Sequence, residues 1–460
     1  MIISRSPQNP TRVIGEYKSN SASDVAEKVA KARSSFRNWS QDPTLRGNAL
    51  RNCASALRAN EQRLIAMMVE EVGKPLAESR GELLRAISIF DFYASATLSS
   101  NGNLMPVSGS DLLISKRHPY GVAGLITPWN FPIAIPVWKS APALAVGNCV
   151  VIKPSEYATA TCNLLAEIIN SALPDGVFTV VPGMAETGAA LIETADVISF
   201  TGSAFVGEKV VAHASSLGKT VQAEMGGHNP AIVLPDADLN TFADQLVIGA
   251  FSYSGQKCTA TRRVILVGDS SRKEQFLAAM ESRLKKLSIG DPSLENSFIG
   301  PLISESAQSK FNSATAQINS DGGKILQGRI SLPNEGFYVQ PTISLDLPAK
   351  STLLQEEVFG PMTHLRLVED IEEAVITANN VRYGLTASIH TNKLNQALSI
   401  ADRLETGMVK INAPTAGVDF HAPFGGLKKS SYGAREQGTA ALDFYSFTRT
   451  ISIVGPKLAF

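Results

Sequence analysis

The sequence predicts an α/β protein made of more than one unit, and three observations predict it. From residue 120 onward, short apolar runs alternate with helix-like stretches. That texture belongs to a mostly parallel sheet with helices on both faces. A second alternation of the same kind runs from about 230 to 438. The chain has 460 residues, more than one ordinary hydrophobic core holds, so two or three domains are expected.

The elements follow in order. Residues 21–39 and 43–72 read as two helices. Asp24, Val25, Val29, Ala32 and Phe36 fall near helical spacing, and Asp42-Pro43 starts the second. Gly73-Lys74-Pro75 breaks it, and a third helix is expected to run to about Leu98. Segment 100–118 and the tail after Phe444 read as extended β pieces outside both cores. The apolar runs 121–127, 150–153, 177–181, 197–200 and 221–224 predict strands. Helices are expected between them, near 137–146, 159–172, 185–194 and 203–216. Sheets of this kind bind ligands at the carboxyl ends of their strands.

Composition narrows the function. Hydrophobic residues make up 44% and charged residues 18%, the mix of a soluble globular enzyme. Lys+Arg and Asp+Glu are 42 each, so no charge excess points to nucleic acid or a membrane surface, and neither is expected as a partner. Cys53, Cys149, Cys162 and Cys258 lie far apart without a CxxC, and the six histidines form no HxxxH. Neither a disulfide framework nor a metal site is expected. The start of the chain has no long apolar segment, so no signal peptide is expected and cytoplasm is the default compartment. The least charged region, 121–152, carries only Lys139 and is interrupted by Pro128, Pro132, Pro136 and Pro142. That argues against a membrane helix.

Several segments carry candidate chemistry. Cys258 sits in Ser254-Gly255-Gln256-Lys257-Cys258-Thr259-Ala260, some thirty residues after Glu224-Met225-Gly226-Gly227. A thiol and a carboxyl at a strand end suit a nucleophile and its base, with Lys257 favouring the thiolate if its charge points inward. A buried structural cysteine is as good a reading of that string alone, and it is the reading for Cys53, Cys149 and Cys162. Asn130, in Thr127-Pro128-Trp129-Asn130-Phe131-Pro132, either caps a turn or donates to a developing oxyanion. Lys153 and Glu156, around Pro154, suit the hydroxyls of a ribose or form a solvated ion pair. A free Glu156 would repel a 2′-phosphate, which favours NAD over NADP. In Phe200-Thr201-Gly202-Ser203, Gly202 lets backbone approach a phosphate and Ser203 opens a helix whose N-terminus can bind it. No GxGxxG is present. Gln355-Glu356-Glu357-Val358-Phe359-Gly360-Pro361 and Pro423-Phe424-Gly425-Gly426-Leu427-Lys428-Lys429-Ser430-Ser431-Tyr432-Gly433 are uninformative singly.

Together, in this order and spacing, the six segments resemble the aldehyde dehydrogenase superfamily from about residue 20 to the tail. The resemblance implies a Rossmann-like cofactor domain (1–99 and 119–226), an α/β catalytic domain (227–440) and a small β oligomerisation arm (100–118 and 441–460). It implies Cys258 as nucleophile, Asn130 with the Cys258 backbone N–H as oxyanion donors, and Glu224 as the base that activates water. Lys139 and Glu436 lie where many members have a proton relay, although this chain is one residue longer just before Arg435. Trp129, Lys153, Glu156, Gly202, Ser203, Glu357 and Phe359 match cofactor contacts. The implied cofactor is NAD, with NADP the other option, and the implied assembly is a homodimer or homotetramer.

Phe131 and residues 133–138 would line an apolar substrate tunnel. Lys257, and more remotely Arg117 and His421, would supply charge for an anionic tail. His228 stands where many members have Lys or Gln. The strings around Glu224 and at 430–438 are similar to those of bacterial members acting on small acidic aldehydes. Substrates of that kind include α-ketoglutarate semialdehyde and succinic semialdehyde, and sulfoacetaldehyde presents the same charge. The competing expectations are a coenzyme A-acylating member, against which Glu224 speaks, and a non-catalytic binding or structural relative.

Overall fold

A computed structural model describes residues 1–99, 101–107 and 111–454. The chain opens with an antiparallel hairpin of β1 (Ile2–Arg5) and β2 (Val13–Tyr17). Helices α1 (Ala22–Gln41), α2 (Pro43–Ala59), α3 (Glu61–Val72) and α4 (Leu76–Ala96) follow. A capping box of Ser21 and Asp24 starts α1, and Asp42 accepts from Thr44 N and Leu45 N to start α2. The single helix expected over 43–72 is therefore two. Asn60 divides them: its amide Nδ2 donates to Ala56 O, drawing the local polar groups away from a continuous ladder. Gly73, left-handed at φ 64°, ends α3.

Two strands come next, β3 (Gly102–Met105) and β4 (Leu112–Pro119). The first α/β run is β5 (Val122–Ile126), α5 (Ala134–Val146), β6 (Cys149–Lys153), α6 (Thr159–Asn170), β7 (Phe178–Val180), α7 (Ala185–Thr194), β8 (Val197–Thr201), α8 (Ala204–Ser216) and β9 (Thr220–Glu224). The second run begins β10 (Asn229–Val233), α9 (Leu239–Leu246), β11 (Thr261–Val267), α10 (Ser270–Leu284), α11 (Glu305–Ser320), β12 (Lys324–Gln327), β13 (Thr342–Leu345) and β14 (Met362–Val368). It continues α12 (Ile371–Asn379), β15 (Tyr383–Gly384), β16 (Thr386–His390), α13 (Leu394–Ala401), β17 (Met408–Ile411), β18 (Leu427–Lys428), β19 (Ser431–Tyr432), α14 (Ala440–Phe444) and β20 (Ser446–Ile453).

The first sheet has the order β19-β9-β8-β5-β6-β7, parallel except for β19 at its edge. The chain leaves β5 toward β6 and β7, then returns to the other side of β5 for β8 and β9. That reversal is a topological switch point, so the loops after β5, β6, β8 and β9 converge at one end. The second sheet, β12-β13-β14-β11-β10-β16-β17, is parallel except for β12.

Its packing follows the strand period of two. Ala231, Val233, Val264 and Leu266 enter one hydrophobic cluster. Ile232, Leu234, Ile265 and Val267 enter another on the opposite face. A third sheet, β20-β4-β3, is antiparallel and carries exposed Leu104, Leu112 and Ile453. Residues 100, 108–110 and 455–460 of the expected arm lie outside the described residues. Among the described residues no helix is long and apolar enough to cross a membrane.

Candidate active site

The loop carrying Cys258 leaves α9 through a π-helical turn, Val247–Phe251. Tyr253 (φ 52°), Ser254 (φ 55°) and Gly255 (φ 63°) then take three successive left-handed conformations. Each non-glycine residue there costs roughly 1–2 kcal/mol. Side chains offset that strain. Ser254 Oγ donates to Gly300 O (2.6 Å), Gln256 Nε2 to Pro301 O (3.2 Å) and Arg262 Nη2 to Gly255 O (2.7 Å). Glycine is required at 255, where a Cβ would stand 2.3 Å from Gly360 O. The result is a rigid presentation of the thiol.

Cys258 opens on a cavity of about 280 Å³ whose apolar walls include Phe131, Trp138, Phe298, Val418 and Phe424. Part of its surface faces the cavity, yet protein encloses the sulfur on every other side. Burial, then the nearby Glu357 and Glu224 carboxyls, push its pKa up to about 12. Lys257 lines the same cavity, but its charge is taken up by a partner. Its Nζ donates to Glu78 Oε1 (2.8 Å) and Ser252 Oγ (2.8 Å), so the expected help to the thiolate is absent.

Two further expectations about this pocket are corrected. Of residues 133–138 only Trp138 lines it, because the others face the core as α5 packs beneath the sheet. Arg117 pairs with Asp443 on the third sheet, and neither it nor His421 lines this cavity. The cation that does line it, besides the paired Lys257, is Arg85 on α4. No hydrogen bond or ion pair holds its guanidinium among the described residues.

Asn130 follows β5, and its Nδ2 donates to Gln256 O at 3.0 Å. The second hydrogen on that nitrogen remains for another acceptor. The turn is held from α4: Glu82 Oε1 accepts from Ile133 N (2.8 Å) and Ala134 N (2.9 Å), capping α5. Fully buried Lys74 pairs with Glu82 and lies 3.9 Å from the Phe131 ring centre and 4.4 Å from that of Tyr253. One ammonium thus braces both the Asn130 turn and the Cys258 loop. Sequence reasoning passed over Lys74 and Glu82, along with Arg85.

Glu224 ends β9 and is 2% exposed. Burial and then Glu436 hold its pKa well above the ordinary carboxylate value, against the opposing pull of Ser431, Lys139 and Arg435. Lys139 forms an ion pair with Glu436 despite the extra residue before Arg435, and also donates to Ser199 Oγ (2.7 Å) and Phe200 O (3.3 Å). Glu224 Oε1, Glu436 Oε2 and Gln222 Nε2 are buried without a hydrogen-bond partner.

The remaining expected residues gather where the strand ends converge. Trp129 meets Phe359 edge-on, with ring centres 5.7 Å apart. Lys153, at the end of β6, donates to Pro154 O (2.7 Å), and Glu156 accepts from Ser155 Oγ (3.2 Å). Burial lowers the pKa of Lys153, while Glu156 resists. Ser203 caps α8, accepting from Val206 N (3.4 Å). Gly202 has a packing reason: a Cβ there would lie 2.5 Å from the Phe200 ring. Glu357 lies 3.6 Å from Arg262, and burial raises its pKa to about 7 against that guanidinium's pull. His228 is elsewhere, buried against Leu353 O and stacked on His364.

A family model described as the aldehyde dehydrogenase family matches residues 2–451. The chain is 38% identical to the α-ketoglutaric semialdehyde dehydrogenase of Bacillus subtilis, over 98% of this chain and 94% of that one. It is 39% identical to the α-ketoglutarate semialdehyde dehydrogenase of Haloferax volcanii, over 97% and 94%. Among solved structures it is similar to a betaine aldehyde dehydrogenase from Staphylococcus aureus in complex with NAD+. There the TM-score is 0.94 at 28% identity, covering 99% of this chain and 92% of that one.

Proposed function

The chain belongs to the aldehyde dehydrogenase family, and from that premise we propose that it oxidises a short, carboxylate-ended aldehyde to the acid with NAD. α-Ketoglutarate semialdehyde is the substrate that the named relatives favour. The observation that carries the substrate reading is Arg85. In a pocket with apolar walls, Lys257 has Glu78, while Arg85 has no partner among the described residues. A planar guanidinium suits a carboxylate through two parallel hydrogen bonds, and a sulfonate shares its charge.

The residues at the strand ends fit a dinucleotide. Lys153 and Glu156 would hold one ribose, Ser203 and the start of α8 the pyrophosphate, and Glu357 the second ribose. Trp129 and Phe359 would flank it. Thr127 Oγ1 and Thr201 Oγ1, buried just beyond β5 and at the end of β8, have no hydrogen-bond partner, which supports a polar ligand there. Glu156 opposes a 2′-phosphate and so favours NAD. When bound, the dinucleotide supplies the acceptor for a hydride.

Cys258 supplies the nucleophile. Once deprotonated, its Sγ bonds to the carbonyl carbon while the π pair moves to oxygen. Asn130 Nδ2 and the Cys258 N–H meet that oxyanion. Loss of hydride, with its electron pair, restores the carbonyl as a thioester. Water then gives a proton to Glu224 and adds to the carbon, and the C–S bond breaks with its pair returning to sulfur. Glu436 and Lys139 stand behind Glu224 to carry the proton onward. A carboxyl at 224 supports hydrolysis rather than transfer to coenzyme A. On the same reading the β20-β4-β3 sheet is the oligomerisation arm of a dimer or tetramer. The cofactor domain is then 1–99 with 119–226, and the catalytic domain 227–440.

The test is the initial rate of NADH formation with aldehydes of equal length ending in carboxylate, sulfonate or a neutral group. The carboxylate member should lead the neutral one by at least about tenfold in kcat/KM, the equivalent of one good charged contact. Equal rates would remove the anionic substrate and leave the dehydrogenase.

A further inference from the structure

The turn that leads from β18, paired with β15, into β19 does more than close the edge of the first sheet. Ser431 pairs directly opposite Glu224 in the β19–β9 register, which puts both side chains on one face. Ser431 Oγ accepts from Gly426 N at 2.6 Å and donates to Glu224 Oε2 at 2.5 Å. An N–H can only donate, so the hydroxyl proton is committed to the carboxylate. The surrounding turn is fixed as well. Met225 N donates to Ser430 O (2.8 Å), and Ser430 Oγ donates to Gly226 O (2.8 Å). Gly425, left-handed at φ 152°, lets the groups close in: a Cβ there would stand 2.8 Å from both Glu224 Oε1 and Arg435 Nη1. Oε2 is therefore held, while Oε1 has no hydrogen-bond partner.

We propose that Ser431 is a positioning residue for the deacylating base, fixing Glu224 through Oε2 so that Oε1 is the oxygen presented to water. The inference rests on the reading of Glu224 as that base. The hydroxyl acts against its surroundings. Burial and Glu436 both favour the protonated carboxyl, which cannot take up a proton from water, whereas the Ser431 donor favours the carboxylate. Ser431 thus opposes that upward shift and holds the carboxyl in one orientation.

The experiment follows acyl-enzyme decay and NADH formation separately in single turnovers of the full-length enzyme, across pH. Ser431→Ala should slow decay about tenfold at neutral pH, the weight of a hydrogen bond to a charged group. Its acid limb should move up by roughly one pH unit, with the NADH burst rate unchanged. Ser431→Thr should restore both. Glu224→Gln serves as the reference. If Glu224→Gln slows decay while Ser431→Ala keeps the wild-type rate and pH profile, the positioning role is overturned and the base stands. If Glu224→Gln decays at the wild-type rate, the base assignment and the inference fall together. A Ser431→Ala defect that Ser431→Thr fails to repair also overturns the proposal, because bulk rather than the hydroxyl would then be responsible.

Discussion

Toward the substrate pocket, Lys74 and Lys257 each meet their own carboxylate, Glu82 and Glu78, and Arg85 remains over. Toward β9, Lys139 pairs with Glu436, and both it and Arg435, which donates to the Gly426 carbonyl, pull on the nearby Glu224 carboxyl. The two sides of Cys258 therefore differ: in front, Arg85 has no partner among the described residues, and behind, Glu224 Oε1 and Glu436 Oε2 have no hydrogen-bond partner. Buried charge is tolerated when paired, and an unpaired group marks where a ligand or a proton is to be bound. The front cation suits selection of an anion. The rear pair of half-satisfied carboxyls suits the proton exchange proposed for Glu224.

The strongest break removes the divider. Cys258→Ala should lower turnover by at least about 10⁴-fold, as loss of a nucleophile does. Affinity for NAD, measured by calorimetry, should stay within about twofold of wild type, given that calorimetric ΔG differences below about 0.4 kcal/mol are small. Retained dehydrogenase activity would take the thiol out of the reaction.

A smaller break addresses the front alone. Arg85→Gln should cut kcat/KM for carboxylate-ended aldehydes about 10–100-fold, the value of a charged hydrogen-bonded contact. Neutral aldehydes of the same length should be unaffected. An equal loss for both would mean that Arg85 shapes the pocket without reading charge.

The smallest effect sharpens the contrast through stability. Burial raises the pKa of Glu78, but Lys257 overcomes it, leaving the group below its ordinary value. A depressed carboxyl stabilises the fold above its unfolded pKa and loses that contribution as pH falls through the folded one. Glu78→Gln should cost about 1–2 kcal/mol near pH 7. The difference from wild type should shrink as pH falls below the ordinary glutamate value of 4.5, because the unfolded carboxyl protonates before the folded one. Denaturant unfolding at both pH values checks it, and a gap that widens in acid would refute the pairing as its source.

Much of the fold was legible because parallel strands, buried on both faces, leave short apolar runs: β5 and β6 are buried at every position. Cys258, Glu224 and Asn130 stood out because each lies in a distinctive local string. Arg85, Glu82 and Lys74 did not, since they reach the site from α4 and the loop just before it, some 45 or more residues before Asn130 in sequence. Glu78, Glu82 and Arg85 recur at spacings of four and three, which reads as a solvated helix face until the Asn130 turn and the Cys258 loop pack against it. Ser431 was hidden differently: its importance lies in a two-residue pairing with β9, and register is not written in composition. The break at Asn60 was missed because apolar periodicity continues across it.

The thiol that opens the site also bears on durability. With its pKa pushed up to about 12, Cys258 favours the neutral thiol at neutral pH. Peroxide, alkylating agents and stray electrophiles react with thiolates. Slow loss of the Cys258 thiol to an alkylating agent near neutral pH is the expected result, and inactivation rates followed across pH check it. On the proposed reaction, the group that must be switched on for each turnover is, between turnovers, held in its less reactive form.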